Sequence, residues 1–197
     1  MDEAASTGRA ATAVVIPVKS FEVAKGRLAD TLDAEARTTL ARRMAGAVVA
    51  AAAPLSAWVV CEDHDVAAWA LSRGAGVIWR EAPGLNAAVT AAVEFLAADG
   101  YRRAIIAHGD LPLASELEWV GDFGGVTIVP DRRGDGTNVL SVPTAAGFVF
   151  AYGPGSAAKH RAEAERLGLP IRVAEDERLG WDVDTPDDLA VFDEGRS

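Results

Sequence analysis

Short apolar segments alternate with helical segments along most of this chain, and this alternation is the feature that most restricts its fold. The pattern predicts strands at residues 13–18, 57–61, 77–79, 104–107, 125–130 and 171–174, with two further candidates at 139–142 and 148–152. It predicts helices at residues 33–53, 63–72, 87–98 and 156–168, a short helix capped by Ser115, and a last short helix after residue 185. Alternating strands and helices favour a three-layer α/β/α fold around a mostly parallel sheet.

The bulk composition indicates one domain and argues against several classes of function. The chain has 197 residues, half of them hydrophobic, so we expect a single domain over residues 11–197 after a disordered tail at residues 1–10. A net charge of −10 disfavours binding to nucleic acid or to an anionic membrane. No apolar run approaches the length of a membrane span. The single cysteine, Cys61, excludes an intramolecular disulfide, and we expect a cytoplasmic location.

A basic loop follows the first predicted strand. It carries Lys19, Lys25 and Arg27 between a strand that breaks at Pro17 and a helix that begins near residue 33. A strand, a basic loop and a helix in this order present cations to phosphates in α/β proteins. The loop lacks the Gly-x-x-x-x-Gly-Lys-Ser/Thr pattern of a Walker A motif. From the pattern alone, a phosphate-binding loop and a solvated basic turn are both open.

Three aspartates are candidate metal ligands. Asp110 comes directly after the strand at 104–107, where a carboxylate either caps a helix or holds Mg²⁺. Asp182 and Asp184 are two residues apart, so in an extended segment they face the same side and could converge on one cation. Asp184 or Thr185 could instead cap the last helix, whereas Asp182 lies outside that cap.

Two glycine-rich loops are candidates for anion binding. Residues 153–156 read Gly-Pro-Gly-Ser and open a helix, whose free N–H groups and dipole would attract an anion, although Ser156 also suits a simple N-cap. Residues 131–138 contain Arg132 and Arg133 and form either a surface turn or a clamp on a carboxylate or phosphate.

Other kinds of site find little support in the sequence. The three histidines are too scattered for a histidine-rich metal site. A Gly-x-Ser-x-Gly elbow is absent, which argues against a serine hydrolase. A Gly-x-Gly-x-x-Gly after the first strand is also absent, which argues against a dinucleotide-binding Rossmann domain.

Six motifs, taken together and in order, resemble the guanylyltransferases of coenzyme F420 biosynthesis, which act on phosphoenolpyruvate or 2-phospho-L-lactate. The resemblance covers residues 13–192. Its motifs are Ile-Pro-Val-Lys with Ala-Lys-Gly-Arg-Leu within residues 16–28, Gly-Leu-Asn at 84–86, Gly-Asp-Leu-Pro at 109–112, Pro-Asp-Arg at 130–132 with Gly-Thr-Asn at 136–138, Gly-Pro-Gly-Ser at 153–156 and Asp-Val-Asp-Thr-Pro at 182–186. One departure is His108, where a smaller residue is expected before Gly-Asp.

The resemblance implies a nucleotidyltransferase fold of the glycosyltransferase-A type, with GTP and a small phosphorylated carboxylic acid as substrates and pyrophosphate as a product. The alanine- and arginine-rich composition, which is typical of a high-GC bacterial source, favours phosphoenolpyruvate as the acid, with 2-phospho-L-lactate as the alternative. Metal ligands implied for Mg²⁺ are Asp110, Asp182 and Asp184. Residues implied to contact the acid are Thr137, Gly153 and Ser156. Residues implied to hold the nucleotide are Lys19, Lys25, Arg27 and, near the nucleoside, Asn86. Catalytic roles fall on Lys19, Lys25 and Asp110.

Rival interpretations remain. Molybdopterin guanylyltransferases and sugar-phosphate nucleotidyltransferases usually carry a glycine-rich first loop, which residues 17–28 lack. A glycosyltransferase could use Asp182 and Asp184 as its Asp-x-Asp motif, but that motif usually lies mid-chain. A non-catalytic nucleotide-binding domain is the third option, against which the three intact aspartates argue. The sequence leaves a homo-oligomer open.

Overall fold

The computed structural model describes residues 12–81, 83–183 and 185–189, and within them the chain forms one seven-stranded sheet with helices. The strands are β1 (Thr12–Pro17), β2 (Ser56–Cys61), β3 (Gly76–Trp79), β4 (Arg103–Ala107), β5 (Val126–Pro130), β6 (Thr137–Pro143) and β7 (Ile171–Val173). The helices are α1 (Ala34–Ala51), α2 (His64–Ser72), α3 (Leu85–Ala98) and α4 (Ser156–Arg166), with 3₁₀ turns at Gly26–Leu28 and Glu118–Gly121. A last helical turn covers residues 186–189.

The sheet is mostly parallel, as the sequence predicts, with one reversed strand. Its order is β3-β2-β1-β4-β6-β5-β7. Four neighbouring pairs are parallel, whereas β6 runs antiparallel to both β4 and β5. Ala107 at the end of β4 pairs with Val139, and the His108 N–H donates to the Asn138 carbonyl at 3.0 Å. The reversal therefore puts the beginning of β6 at the edge where β1 and β4 end.

The central strand β1 shows why the protein has three layers. Its side chains alternate between the two faces of the sheet, as they must in an extended strand. Val14 and Ile16 pack in the cluster that includes α1 and α2, whereas Ala13 and Val15 pack in the cluster that includes α3 and α4. All four are fully buried, which is the pattern expected of a strand covered by helices on both faces.

Local signals in the sequence set the ends of the helices. Asp33 accepts a hydrogen bond from the Ala36 N–H at 2.8 Å and caps α1, and Asp63 accepts one from the Val66 N–H at 3.0 Å and caps α2. Thr185 caps the last helical turn, because its hydroxyl accepts from the Asp188 N–H at 3.4 Å while the Asp188 carboxylate accepts from the Thr185 N–H at 2.8 Å. This reciprocal pair is a capping box.

Two local predictions are wrong. Residues 148–152 form no strand with the described parts of the chain, because side chains satisfy their backbone: the Val149 N–H donates to Glu163, and the Ala151 N–H donates to His160. Ser115 caps no helix; its hydroxyl accepts from Arg178 at 3.2 Å, and the 3₁₀ turn begins only after Leu117.

Two further predictions concern the first ten residues and membrane-spanning segments. The predicted tail at residues 1–10 lies outside the described residues. Within the described ranges, none of the helices combines the length and apolar character needed to cross a membrane.

Candidate active site

A cleft opens at the edge of the sheet where β1, β2, β3 and β4 end. Two adjoining pockets form it, and they share Pro17, Val18, Lys19 and Leu85. The first pocket is also lined by Lys25, His108, Gly109 and Asp110. The second lies over β2, β3 and the start of α3, and its lining adds Val60, Cys61, Glu62, Arg80, Gly84 and Ala88. Lys19 therefore stands between the pocket that holds Lys25 and Asp110 and a pocket whose mostly apolar walls also include Glu62 and Arg80.

An ion pair between Lys25 and Asp110 lies at the centre of the first pocket. The two side chains meet at 2.7 Å between Nζ and Oδ2 and are 9% and 28% exposed. Burial raises the pKa of the Asp110 carboxyl, but the charge and hydrogen bond of Lys25, with smaller contributions from its other neighbours, outweigh burial and leave the pKa below its ordinary value. Asp110 is therefore ionised at neutral pH.

The backbone that carries this pair is specialised on both sides. Lys25 has a φ of 56°, in the left-handed region that costs a non-glycine residue about 1 kcal/mol. Gly109 lets the Asp110 loop approach the end of β1, since a Cβ there would lie 3.3 Å from Val18 Cγ2. Lys25 therefore has a strained backbone in the arrangement that places its ammonium beside Asp110, which lies 85 residues later in the sequence.

The other oxygen of Asp110 fits a divalent cation. Oδ1 is buried and has no hydrogen-bond partner among the residues that the structure describes. Buried carboxylate oxygens are normally paired, and hard oxygen donors of this kind suit Mg²⁺. Over the described ranges, no three carboxylate, histidine or cysteine side chains form a metal-binding group. Asp184 lies outside those ranges, so the predicted set of three aspartates stays a prediction.

The packing of its neighbours positions Asp182 near the basic loop. Val183 packs in a buried cluster with Leu28, which ends the 3₁₀ turn after Lys25, and with Met44. Just upstream, the Leu179 carbonyl accepts a hydrogen bond from the Asn138 side chain at 3.0 Å. The segment that contains Asp182 therefore runs between the start of β6 and the Lys25–Leu28 turn.

The remaining predicted cations have different surroundings. Lys19 and Arg27 are both exposed, and Lys19 lines both pockets. Arg132 forms an ion pair with Asp188, and its guanidinium lies 4.3 Å from the centre of the Trp181 ring. Arg132 thus helps to hold the last helical turn, which favours a structural role for this arginine over a ligand clamp.

Thr137 and Ser156 form a second, uncharged group at the same edge. Thr137 begins β6 and Ser156 begins α4, and each is only 2% exposed. The loop before Ser156 contains two glycines with positive φ angles, Gly153 at 118° and Gly155 at 69°, which glycine adopts more readily than other residues.

The start of α4 is less open to an anion than the sequence suggests. The Gly155 N–H donates to the Asp135 carboxylate at 2.9 Å, and the Ala157 N–H donates to the Asp135 carbonyl at 3.0 Å. The Ser156 N–H donates to the Gly153 carbonyl at 3.0 Å. Because these three amides are already bonded, the polar groups of interest here are the hydroxyls of Ser156 and Thr137.

His160 is the residue that the sequence interpretation missed. It is fully buried one turn after Ser156, with Nδ1 3.0 Å from Thr137 Oγ1, and Nε2 accepts from the Ala151 N–H at 3.1 Å. Burial, with smaller contributions from His108 and Lys159, lowers its pKa to about 4. Spacing was the available signal: Ser156, His160 and Ala164 are four residues apart and share the buried face of α4.

Asn86 connects α3 to the segment that leads into the Gly153 loop. Its side-chain oxygen accepts from the Tyr152 N–H at 2.7 Å, and its amide nitrogen lies 3.4 Å from the Tyr152 carbonyl. The predicted proximity of Asn86 to a nucleoside stays a prediction, since these contacts involve only the protein backbone.

Comparison with solved structures shows the fold. The chain matches a nucleotidyl transferase from Methanothermobacter thermautotroptrophicus with a TM-score of 0.65 and 16% identity, covering 93% of this chain and 96% of that one. It matches CMP:2-keto-3-deoxy-manno-octonic acid synthetase complexed with CTP with a TM-score of 0.60 and 15% identity, covering 94% of this chain and 98% of that one. The predicted nucleotidyltransferase-type fold is confirmed.

Comparison of sequences shows the family. The chain is 36% identical over 195 residues to phosphoenolpyruvate guanylyltransferase of Conexibacter woesei, covering 93% of this chain and 87% of the relative. It is 35% identical over 185 residues to the protein of that name from Rubrobacter xylanophilus, covering 89% of this chain and 90% of the relative. A family model described as "Guanylyl transferase CofC like" matches residues 12–193. This chain therefore belongs to the family of CofC-like guanylyl transferases.

Proposed function

We propose that this protein transfers GMP from GTP onto the phosphate of phosphoenolpyruvate, as the names of its relatives indicate, and that it acts in coenzyme F420 biosynthesis. The observation that carries the proposal is the Lys25–Asp110 pair, in which one carboxylate oxygen is bonded to an ammonium and the other is buried without a partner in the part of the chain that the structure describes. A carboxylate in this state suits a metal-dependent reaction of a polyphosphate.

The nucleotide is assigned to the charged side of the cleft, which we call the nucleotide wall: Lys19, Lys25, Arg27 and Asp110. The apolar pocket between β2, β3 and α3 suits a base, and Lys19 lies between that pocket and the Lys25–Asp110 pair. A triphosphate along this line would meet cations that offset its charge. Such local positive charge is needed because the whole protein carries a net charge of −10.

Mg²⁺ is assigned to Asp110 together with Asp182 and Asp184. When bound, it would supply positive charge to the phosphates as bonds form and break at the α-phosphorus. Lys25 bonds Oδ2 of Asp110 and so leaves Oδ1 directed elsewhere, which suits a bridging role for Asp110.

The acceptor is assigned to a second group of residues without charged side chains, which we call the acceptor wall: Thr137, Gly153 and Ser156. An oxygen of its phosphate attacks the α-phosphorus of GTP, the bond between the α-phosphorus and the bridging oxygen to the β-phosphate breaks, and pyrophosphate leaves. The product joins guanosine to enolpyruvate through a diphosphate. The attacking oxygen is already ionised at neutral pH, so the chain needs no general base, and positioning and charge are its main contributions.

The test is pyrophosphate release by the purified protein with GTP, Mg²⁺ and one acid at a time. We expect turnover with phosphoenolpyruvate, and a smaller or absent signal with 2-phospho-L-lactate and 3-phosphoglycerate. Substituting ATP or CTP for GTP tests the choice of base. No turnover with any of the three acids would refute the proposal, and unchanged activity of Asp110→Asn and Asp182→Asn would refute the metal assignment.

A further inference from the structure

We infer that His160 is a positioning residue, which fixes the hydroxyl of Thr137 as a hydrogen-bond donor toward the acceptor acid. The inference rests on the proposed function, because it needs Thr137 to contact the acceptor. It adds a residue that neither the family resemblance nor the sequence motifs assign, beside the residues proposed to bind the acid rather than the nucleotide.

The tautomer of His160 follows from its backbone partner. The Ala151 N–H can only donate, so Nε2, at 3.1 Å, must be the ring nitrogen with the free lone pair. A neutral imidazole with an unprotonated Nε2 carries its proton on Nδ1. Nδ1 lies 3.0 Å from Thr137 Oγ1 and therefore donates to it.

The orientation of Thr137 follows in turn. Its oxygen accepts from His160, so its own proton must point away from the ring. Among the described residues, Thr137 Oγ1 has no other hydrogen-bond partner. The hydroxyl is thus a donor without an acceptor among the described residues, and an anionic carboxylate or phosphate of the acid would supply one.

The ring of His160 has little freedom to turn. Tyr152 packs edge-on against it, with ring centres 4.7 Å apart, and Phe148 lies at 5.9 Å. His160 is fully buried on α4, one turn after Ser156. The same ring also bonds Ala151, two residues before Gly153, so one side chain connects Thr137 to the backbone that leads into the Gly153 loop.

Two substitutions of His160 each keep one of the two hydrogen bonds that its ring makes and remove the other. In His160→Asn, the amide nitrogen lies near the position of Nδ1 and can still donate to Thr137. In His160→Gln, the amide oxygen lies near the position of Nε2 and can still accept from Ala151. We expect His160→Gln to raise the KM for phosphoenolpyruvate about tenfold, with the KM for GTP changed by less than about twofold. We expect His160→Asn to change both values by less than about threefold.

A double-mutant cycle with Thr137→Val tests whether the effect passes through Thr137. Thr137→Val alone should raise the KM for the acid, and His160→Gln should then add nothing to it. Independent, multiplying effects would overturn the inference, and so would equal losses in His160→Gln and His160→Asn, which a merely structural histidine predicts. An unchanged KM in Thr137→Val would also overturn it.

Nitrogen NMR of the histidine-labelled wild-type protein at neutral pH provides a readout that needs no variant. We expect a buried histidine with a protonated Nδ1 and an unprotonated Nε2, and the opposite tautomer would overturn the inference even if the variants fail to fold. Wild-type protein that turns over no acid refutes the proposed function instead, so the two failures are distinguishable.

Discussion

The nucleotide wall and the acceptor wall are built in opposite ways. The nucleotide wall is charged, its residues lie on loops and a strained turn, and both Lys19 and Arg27 are exposed. The acceptor wall has no charged side chain of its own, with the Asp135 carboxylate bonded to the Gly155 N–H beside it, and its two hydroxyl side chains begin a strand and a helix at only 2% exposure each. One wall offers charge from loop residues, and the other offers oriented hydrogen bonds from regular elements.

The contrast matches what each substrate would need. Coulomb attraction falls slowly with distance, so cations on loops can still stabilise a triphosphate. Hydrogen bonds weaken steeply when misaligned, so a hydroxyl that selects a small acid must be held rigidly. Neutral hydroxyls also leave negative charge on the attacking phosphate oxygen, whereas a cation bound there would make it a weaker nucleophile.

The largest expected effect is at Asp110, the point where the nucleotide wall would hold its metal. Asp110→Asn removes the charge of a carboxylate that pairs with Lys25 at 2.7 Å and whose other oxygen has no partner among the described residues. We expect kcat/KM to fall about 10³-fold, equivalent to about 4 kcal/mol of transition-state stabilisation. Steady-state pyrophosphate release measures it.

The matched control for Asp110 is Asp122→Asn. Asp122 is exposed and follows the 3₁₀ turn whose Gly121 packs beside Thr12 at the beginning of β1, on the opposite edge of the sheet. Its activity should stay within about twofold of wild type. A loss of less than about tenfold in Asp110→Asn would show that the nucleotide wall does not depend on this carboxylate.

The next effect concerns the acceptor wall and pH. Burial lowers the pKa of His160 to about 4, from 6.5 in the unfolded chain, so between these values the unfolded chain binds a proton that the folded protein does not. The free energy of unfolding is therefore unaffected by the ionisation of His160 above pH 6.5 and decreases by up to about 3 kcal/mol as the pH falls toward 4. Urea unfolding at several pH values measures the decline.

His160→Asn should flatten this acid dependence, because asparagine does not titrate. His64→Asn is the control, since His64 is exposed and stacks on Trp79 at 4.6 Å between ring centres. If His160→Asn and the wild-type protein lost stability equally between pH 6.5 and 4, the acid sensitivity would belong to other groups.

The nucleotide wall was easier to predict from sequence than the acceptor wall, and the reason is the direction of the strands. Asp110 follows the end of a buried strand, and ligands bind beyond such ends in parallel sheets. Thr137 lies at the beginning of a strand and reaches the same edge only because β6 is reversed. Nothing local in residues 137–143 reveals that reversal, so the pattern left residues 131–138 as either a surface turn or a clamp, and only the family resemblance gave Thr137 a contact with the acid.

His160 shows a second limit of sequence interpretation. A histidine in the middle of a helix is compatible with many roles, and its partners, Thr137 and Ala151, are 23 and 9 residues away. Residues 148–152 illustrate the same difficulty, since their apolar pattern predicts a strand while their backbone is paired with side chains of α3 and α4. Tertiary contacts decided both cases.

A smaller effect is expected when charge is removed from the nucleotide wall without straining its backbone. Lys25→Gly loses the ammonium, and glycine accepts the φ of 56° more readily than lysine does. We expect kcat/KM for GTP to fall about 10²-fold, equivalent to about 2.7 kcal/mol, with the KM for the acid little changed. Arg102→Gln, an exposed change beside the beginning of β4, is the control. A selective effect on the acid would contradict the assignment of Lys25 to the nucleotide wall.

The smallest effect is expected at Ser156, and it bears most directly on the division between the walls. Ser156→Ala removes one buried hydroxyl from the acceptor wall, and we expect the KM for phosphoenolpyruvate to rise about tenfold, equivalent to about 1.4 kcal/mol, with the KM for GTP unchanged. Ser141→Ala is the control, because Ser141 is also buried but lies toward the far end of β6, where its hydroxyl accepts from Arg103 at 3.1 Å. It should lower stability without altering either KM. If Ser156→Ala raised the KM for GTP instead, the small acid and the nucleotide would have to exchange places in the cleft.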